Sequence, residues 1–291
     1  YIGPAKVFGL LSPDGSRVGS PLIREIVDHS TEDGGGGWMP DKHPNGHVPR
    51  HNGQDRMPPS LIEAIDAFVL ACAARRVRGY GSSHSSMLVH VTRFMSVQRE
   101  VHRQVEEHFR HLRQRIIRHI DHEQVITRLK HLWQTDFLPT TEVTRAGHAA
   151  QVPPTDVLWD DLAAALPDVV ADIEVRMING TAKDVLDYAE NEGRGLKVIA
   201  IGGDKLSRGL TLEGLCVSYF LRASKMYDTL MQMGRWFGYR PGYHDLCRLY
   251  TTRELSEWFG HITDAAEELR EEFDQMAASG ATPKEYGLKV Q

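Results

Sequence analysis

The chain has 291 residues, 41% of them hydrophobic and 25% charged, a composition ordinary for a soluble globular protein with enough length to bury one large core or two. Its formal net charge is −5, which excludes a whole-protein field that would attract nucleic acid; any such surface must be a local patch. No apolar run approaches the length of a membrane span, so no membrane partner is expected.

Taken in order, residues 1–27 mix short apolar pieces with Gly and Pro, and the chain opens at Tyr1-Ile2-Gly3-Pro4 without Met, which reads as a fragment of something longer. Residues 28–59 contain Gly34–Gly37 and a polar tract from Asp41 to Pro59, and read as a long, partly disordered loop or insertion. Ser60-x-x-Glu63 has the form of a capping box, and Leu61, Ile65, Phe68, Val69 and Cys72 follow at helical spacing until Gly79. Met87–Val91 is a short β-like run. Val97, Val101, Val105, Phe109, Leu112, Ile116 and Ile120 then mark one buried stripe of a long helix, whose other face carries Arg99, Arg103, Arg110, Arg113, Arg115 and Arg118.

Pro139 to Pro154 reads as a linker. Strand-like runs recur at Ile173–Ile178, Lys197–Ile201, Cys216–Leu221 and Leu246–Tyr250 with helical patterns between them, which predicts a parallel α/β sheet with crossover helices. A last helix is expected from the box Thr251-x-x-Glu254, with Trp258, Phe259, Ile262, Leu269 and Phe273 on one face. The expected organisation is an N-terminal segment with its insertion over 1–59, followed by one lobe over 60–291 with helix-rich additions at 82–138 and 250–280.

The chemistry concentrates at 198–240. Val198–Ile201 passes through Gly202-Gly203 into Asp204-x-x-x-Arg208-Gly209, and later come Gln232-x-Gly234-Arg235 and Gly238-x-Arg240. A buried strand that ends in glycines and hands off to charged groups is how open α/β sheets place ligand-binding groups. Guanidinium forks on such a segment suit a polyphosphate. There is no G-x-x-x-x-G-K-[ST] loop anywhere, so the chain cannot cradle a nucleotide's phosphates alone. Asp121-His-Glu-Gln lies inside a helical pattern and reads as a solvated turn.

The three cysteines, Cys72, Cys216 and Cys247, have no metal or CxxC spacing and fit a reduced, cytoplasmic protein. His43, His47 and His51 are evenly spaced but sit among Pro, Gly and Asn, where that spacing gives no common face for zinc. No metal site is expected.

The run Asp204 to Thr211 resembles the fifth motif of superfamily 2 helicases, and Gln232 to Arg240 resembles the sixth. The wording QMGRWFGYRPGYHDLCRLY is similar to the Z1 family, which accompanies a DEAD-type helicase domain in motor subunits of ATP-dependent restriction systems. The likeness runs from SSMLVHVTRF at 85–94 to TPKEYGLKV at 282–290. It implies a RecA-like helicase C-terminal lobe that completes an ATPase whose N-terminal, DEAD-type lobe holds most of the ATP and Mg2+.

On the same resemblance Arg235 and then Arg240 would be arginine fingers. Four residues separate them where relatives commonly have two, which leaves open which one reaches the γ-phosphate. Arg208, Gly209, Thr211, Gln232 and Gly234 would face ATP. Gly203 and Asp204, Thr92 and Arg93 after the Met87–Val91 strand, which resembles the fourth helicase motif, and Gly180, Thr181 and Lys183 at a strand-to-helix turn would contact DNA. The expected partners are DNA, the DEAD-type lobe and a nuclease subunit.

Two other readings compete. The chain could be a docking module for a nuclease partner, with the acidic helix at Glu267, Glu268, Glu271 and Glu272 as its working surface. Alternatively Asp168, Glu174 and Arg176 loosely resemble a PD-(D/E)xK nuclease centre, although arginine cannot serve as a base there at neutral pH.

Overall fold

A computed structural model describes residues 7–8, 16, 21–31, 35–148, 153, 156–178, 188–203, 212–221, 240 and 242–279. Six parallel strands form one sheet in the order β1-β6-β5-β2-β4-β3: β1 Ile23–Glu25, β2 Ser85–His90, β3 Ile173–Ile178, β4 Lys197–Gly202, β5 Leu215–Phe220 and β6 Arg248–Thr251. β2, β4 and β5 are buried at every residue, as expected of near-continuous apolar runs covered on both faces.

One face is covered by α1 (Pro59–Arg75), α2 (Met95–Arg118) and α5 (Trp159–Asp172), whose apolar stripes meet Met87, Val89, Ile199, Ile201, Val217 and Tyr219. The other face meets Val7, Phe8 and the start of α6 (Arg253–Ser279) through Phe220, Leu249, Phe259 and Ile262. The sheet and flanking helices make the chain an α/β, RecA-like lobe.

Several local expectations are revised. Residues 35–58 are an ordered strap, because Trp38 is fully buried in the main core and its indole donates to Gln104 Oε1 at 2.8 Å. β1, from the segment before the strap, belongs to the same sheet: Ile23, Arg24 and Glu25 pair with Leu249, Tyr250 and Thr251. Ser60 does not cap α1; its backbone N–H and its hydroxyl both donate to Asp28, and Ser60 Oγ lies 2.8 Å from the Tyr219 hydroxyl.

The expected linker at 139–154 begins as a helix. α3 (His122–Leu132) runs through a wider, π-type turn at Trp133–Phe137 into α4 (Leu138–His148). Two carboxylates, Asp245 fully buried and Asp136 partly exposed, fasten this arm to the sheet. Asp136 accepts from both Arg24 and Arg248, and Asp245 accepts from Arg78 and from Thr141 Oγ1. At the amino end of α6 the cap is Thr252, whose hydroxyl oxygen accepts from Leu255 N–H, and not Thr251. Ile120 lies beyond α2 and is exposed.

Candidate functional site

The connections locate a crevice. The chain leaving β2 passes over β4 to reach β3, while the chain leaving β4 passes over β2 to reach β5. Two neighbouring strands thus send the chain in opposite directions, and their carboxyl ends form the topological switch point where open α/β sheets bind ligands. Thr92 and Arg93 follow β2, and Gly203 follows β4, so three of the expected nucleic-acid contacts meet there.

Gly203 packs against the β2–α2 corner. A Cβ at this position would collide with the Gln98 amide nitrogen and stand 3.3 Å from the Thr92 carbonyl. Gln98 itself is buried, and its Nε2 donates to that carbonyl at 3.0 Å. The close approach of two strand ends thus explains the glycine.

Thr92 and Arg93 behave differently. Arg93 is exposed, with its guanidinium 4.9 Å from the Phe94 ring centroid. Thr92 is only 2% exposed, because the strap covers it. His43 Nε2 lies 2.8 Å from Thr92 Oγ1, and His43 Nδ1 lies 2.9 Å from the Pro40 carbonyl. Thr92 Oγ1 also accepts from Phe94 N–H at 3.2 Å. Burial above all lowers the His43 pKa from the usual imidazole range, against the raising effect of the hydrogen bond to the Pro40 carbonyl, and the neighbouring His47 and Arg93 add to the lowering.

The strap continues along α2. Ser96 Oγ donates to Asn45, Gln104 Nε2 donates to the Pro49 carbonyl and to Asp55, and Arg103 grips Asp55 at 2.6 Å. Spacing alone gave no sign of His43 or Asn45. The signal that could have found them is Trp38-Met39, a bulky apolar pair in an otherwise polar tract that needs a core to enter.

Arg240 lies elsewhere. It is half-buried and lines a small cavity with Leu215, Cys216, Cys247 and Arg248, residues at the amino-terminal ends of β5 and β6. Its guanidinium is 5.9 Å from the Tyr243 ring. The structure therefore does not bring Arg240 together with Arg93 and Gly203. Arg235, Arg208, Gly209, Thr211, Gln232, Gly234, Asp204, Gly180, Thr181 and Lys183 lie outside the described residues.

The nuclease reading finds no assembled centre. Asp168 pairs with Arg76 at 2.7 Å, and Glu174 pairs with Arg176 at 2.6 Å. Among the described residues no group of His, Cys, Asp or Glu side chains is arranged to hold a metal ion. His43 and His47 face each other at 5.3 Å, but their nitrogens are turned to Pro40, Thr92 and Trp38.

The parallel sheet with helices on both faces is an α/β, RecA-like fold. Residues 60–291 match the family model for the Z1 domain, and the chain is a member of the Z1 family. No curated protein and no solved structure matches it.

Proposed function

We propose that this chain is the second motor lobe of an ATP-dependent, cytoplasmic DNA translocase of a restriction system, closing on ATP and Mg2+ held by a DEAD-type lobe of the same polypeptide and docking a nuclease subunit. One observation carries the reading. In a Z1 chain, two segments far apart in sequence, each singled out for DNA, meet at the switch point where Gly203 packs against the Thr92 carbonyl, one residue before the exposed Arg93. Arg93 takes the phosphate contact, and Thr92 backs the strap from beneath. Arg235 leads Arg240 as the finger, because Arg240 would have to leave its half-buried bed beside Cys247 and Tyr243 to reach a phosphate.

In the full-length protein, Arg235→Ala is expected to lower DNA-stimulated ATP hydrolysis by roughly 10³–10⁵, the usual worth of a finger. Full activity in both Arg235→Ala and Arg240→Ala would end the assignment. The docking role has its own support: Leu269 and Phe273 are 36% and 42% exposed on the acidic half of α6.

A further inference from the structure

The strap has a chemistry beyond covering Thr92. We propose that residues 35–58 form, with the start of α2, a cationic ridge that follows the phosphates of one nucleic-acid strand. This rests on the reading of the lobe as a DNA motor. Lys42, Arg50, Arg93 and Arg99 are all exposed, and none has a carboxylate within ion-pair distance among the described residues. Across the strap and the first turns of α2 as far as Glu107, six cations (Lys42, Arg50, Arg56, Arg93, Arg99, Arg103) stand against five carboxylates (Asp41, Asp55, Glu100, Glu106, Glu107), and the carboxylates gather at the Arg103 end, leaving the strap tip and the amino end of α2 cationic. In a chain of net charge −5 this is a local reversal of sign.

The hydrogen bonds fix the ridge's direction. His43 sits on Thr92, Asn45 on Ser96, and Asp55 on Arg103, so the strap runs beside α2 from its first turn to its third. Ser96, Arg99 and Arg103 lie three and four residues apart, which puts them on one flank of the helix. Arg99 therefore projects along the strap, between the two anchored positions. From Ser96 to Arg103 the helix rises about 10 Å at about 1.5 Å per residue. Along a duplex axis that rises about 3.4 Å per base step, that length matches about three steps.

Arg103 is committed to Asp55, Glu100 and Glu107 and anchors the strap, and Arg50 lies in the field of Asp55, which leaves Lys42, Arg93 and Arg99 for the ligand. No base-reading arrangement is needed, so binding is sequence-independent. The His43 contact fixes the tip, and the buried Trp38 side chain anchors the strap to the core.

The test uses the full-length protein and a short fluorescein-labelled DNA duplex, with dissociation constants measured across a salt series. The Lys42→Ala, Arg99→Ala double variant is expected to bind on the order of tenfold more weakly and to lose about two from the slope of log affinity against log salt, for duplexes of unrelated sequence alike. Circular dichroism checks that the double variant is folded. An unchanged slope in that variant, with Arg93→Ala still weakening binding, overturns the strap and leaves the motor reading standing. Failure of the unaltered protein to bind duplex at low salt overturns both.

Discussion

Two groups of arginines receive opposite treatment from this fold. Where the helical arm of α3 and α4 joins the sheet, Arg24 and Arg248 converge on Asp136, and Arg78 is held by Asp245; the Arg248 and Asp245 side chains are wholly inaccessible. Burial works to raise the Asp136 pKa, but the two guanidiniums outweigh it and hold the carboxyl below its ordinary range. Around the strap, by contrast, Arg93 and Arg99 are left in water without an acid. Desolvated cations must be paired or they destroy the fold, whereas solvated ones can wait for a ligand at almost no cost. The contrast separates arginines that build the lobe from arginines free to act through it.

Three measurements can break or sharpen that contrast. Asp136→Ala leaves two guanidiniums uncompensated beside the core, and urea denaturation should show a loss of about 3–5 kcal/mol. A loss below about 1 kcal/mol would mean that water reaches the cluster and that the pairing is ordinary surface chemistry.

A middle case is His108, a cation-to-be without a carboxylate. Burial first, then Arg128, His111 and Arg115, lower its pKa from 6.5 to about 4. The unfolded chain thus binds a proton that the folded one refuses. The associated stability is fully present above pH 6.5 and is lost as pH falls from 6.5 towards 4. After discounting for partial exposure this amounts to about 1–2 kcal/mol. His108→Phe should flatten the fall of melting temperature across that window, and an unchanged pH profile would show that the ring is solvated.

The smallest effect is expected at the strap. Lys42→Ala with Arg99→Ala should move stability by no more than about 0.5 kcal/mol, since neither side chain has an ion pair to lose. A larger loss would place these cations among the builders.

The inner strands were legible because their apolar runs are long and rich in Val and Ile, and burial on both faces leaves such runs few alternatives. β1 was not, since Ile23-Arg24-Glu25 is short and two-thirds charged; it is a strand only because Leu249 to Thr251 offers it hydrogen-bond partners. The helix at 138–148 was hidden by Pro139, whose missing N–H is absorbed by the wider turn at Trp133–Phe137 just before it. At the candidate site, Arg93 and Gly203 could be read from strand-end position. The engagement of Thr92 by His43 could not, because a hydrogen bond between a tract of Pro, Gly and Asn and a distant strand end leaves no periodic trace.

The seat of β1 at the sheet's edge also bears on how this lobe is made. Its partner β6 is the last strand of the sheet in sequence, so during vectorial synthesis Ile23–Glu25 stays unzipped until residues 248–251 have cleared the ribosome. The pairing spans more of the sequence than any other in the sheet, and contacts of such high sequence separation are the kind that slow folding.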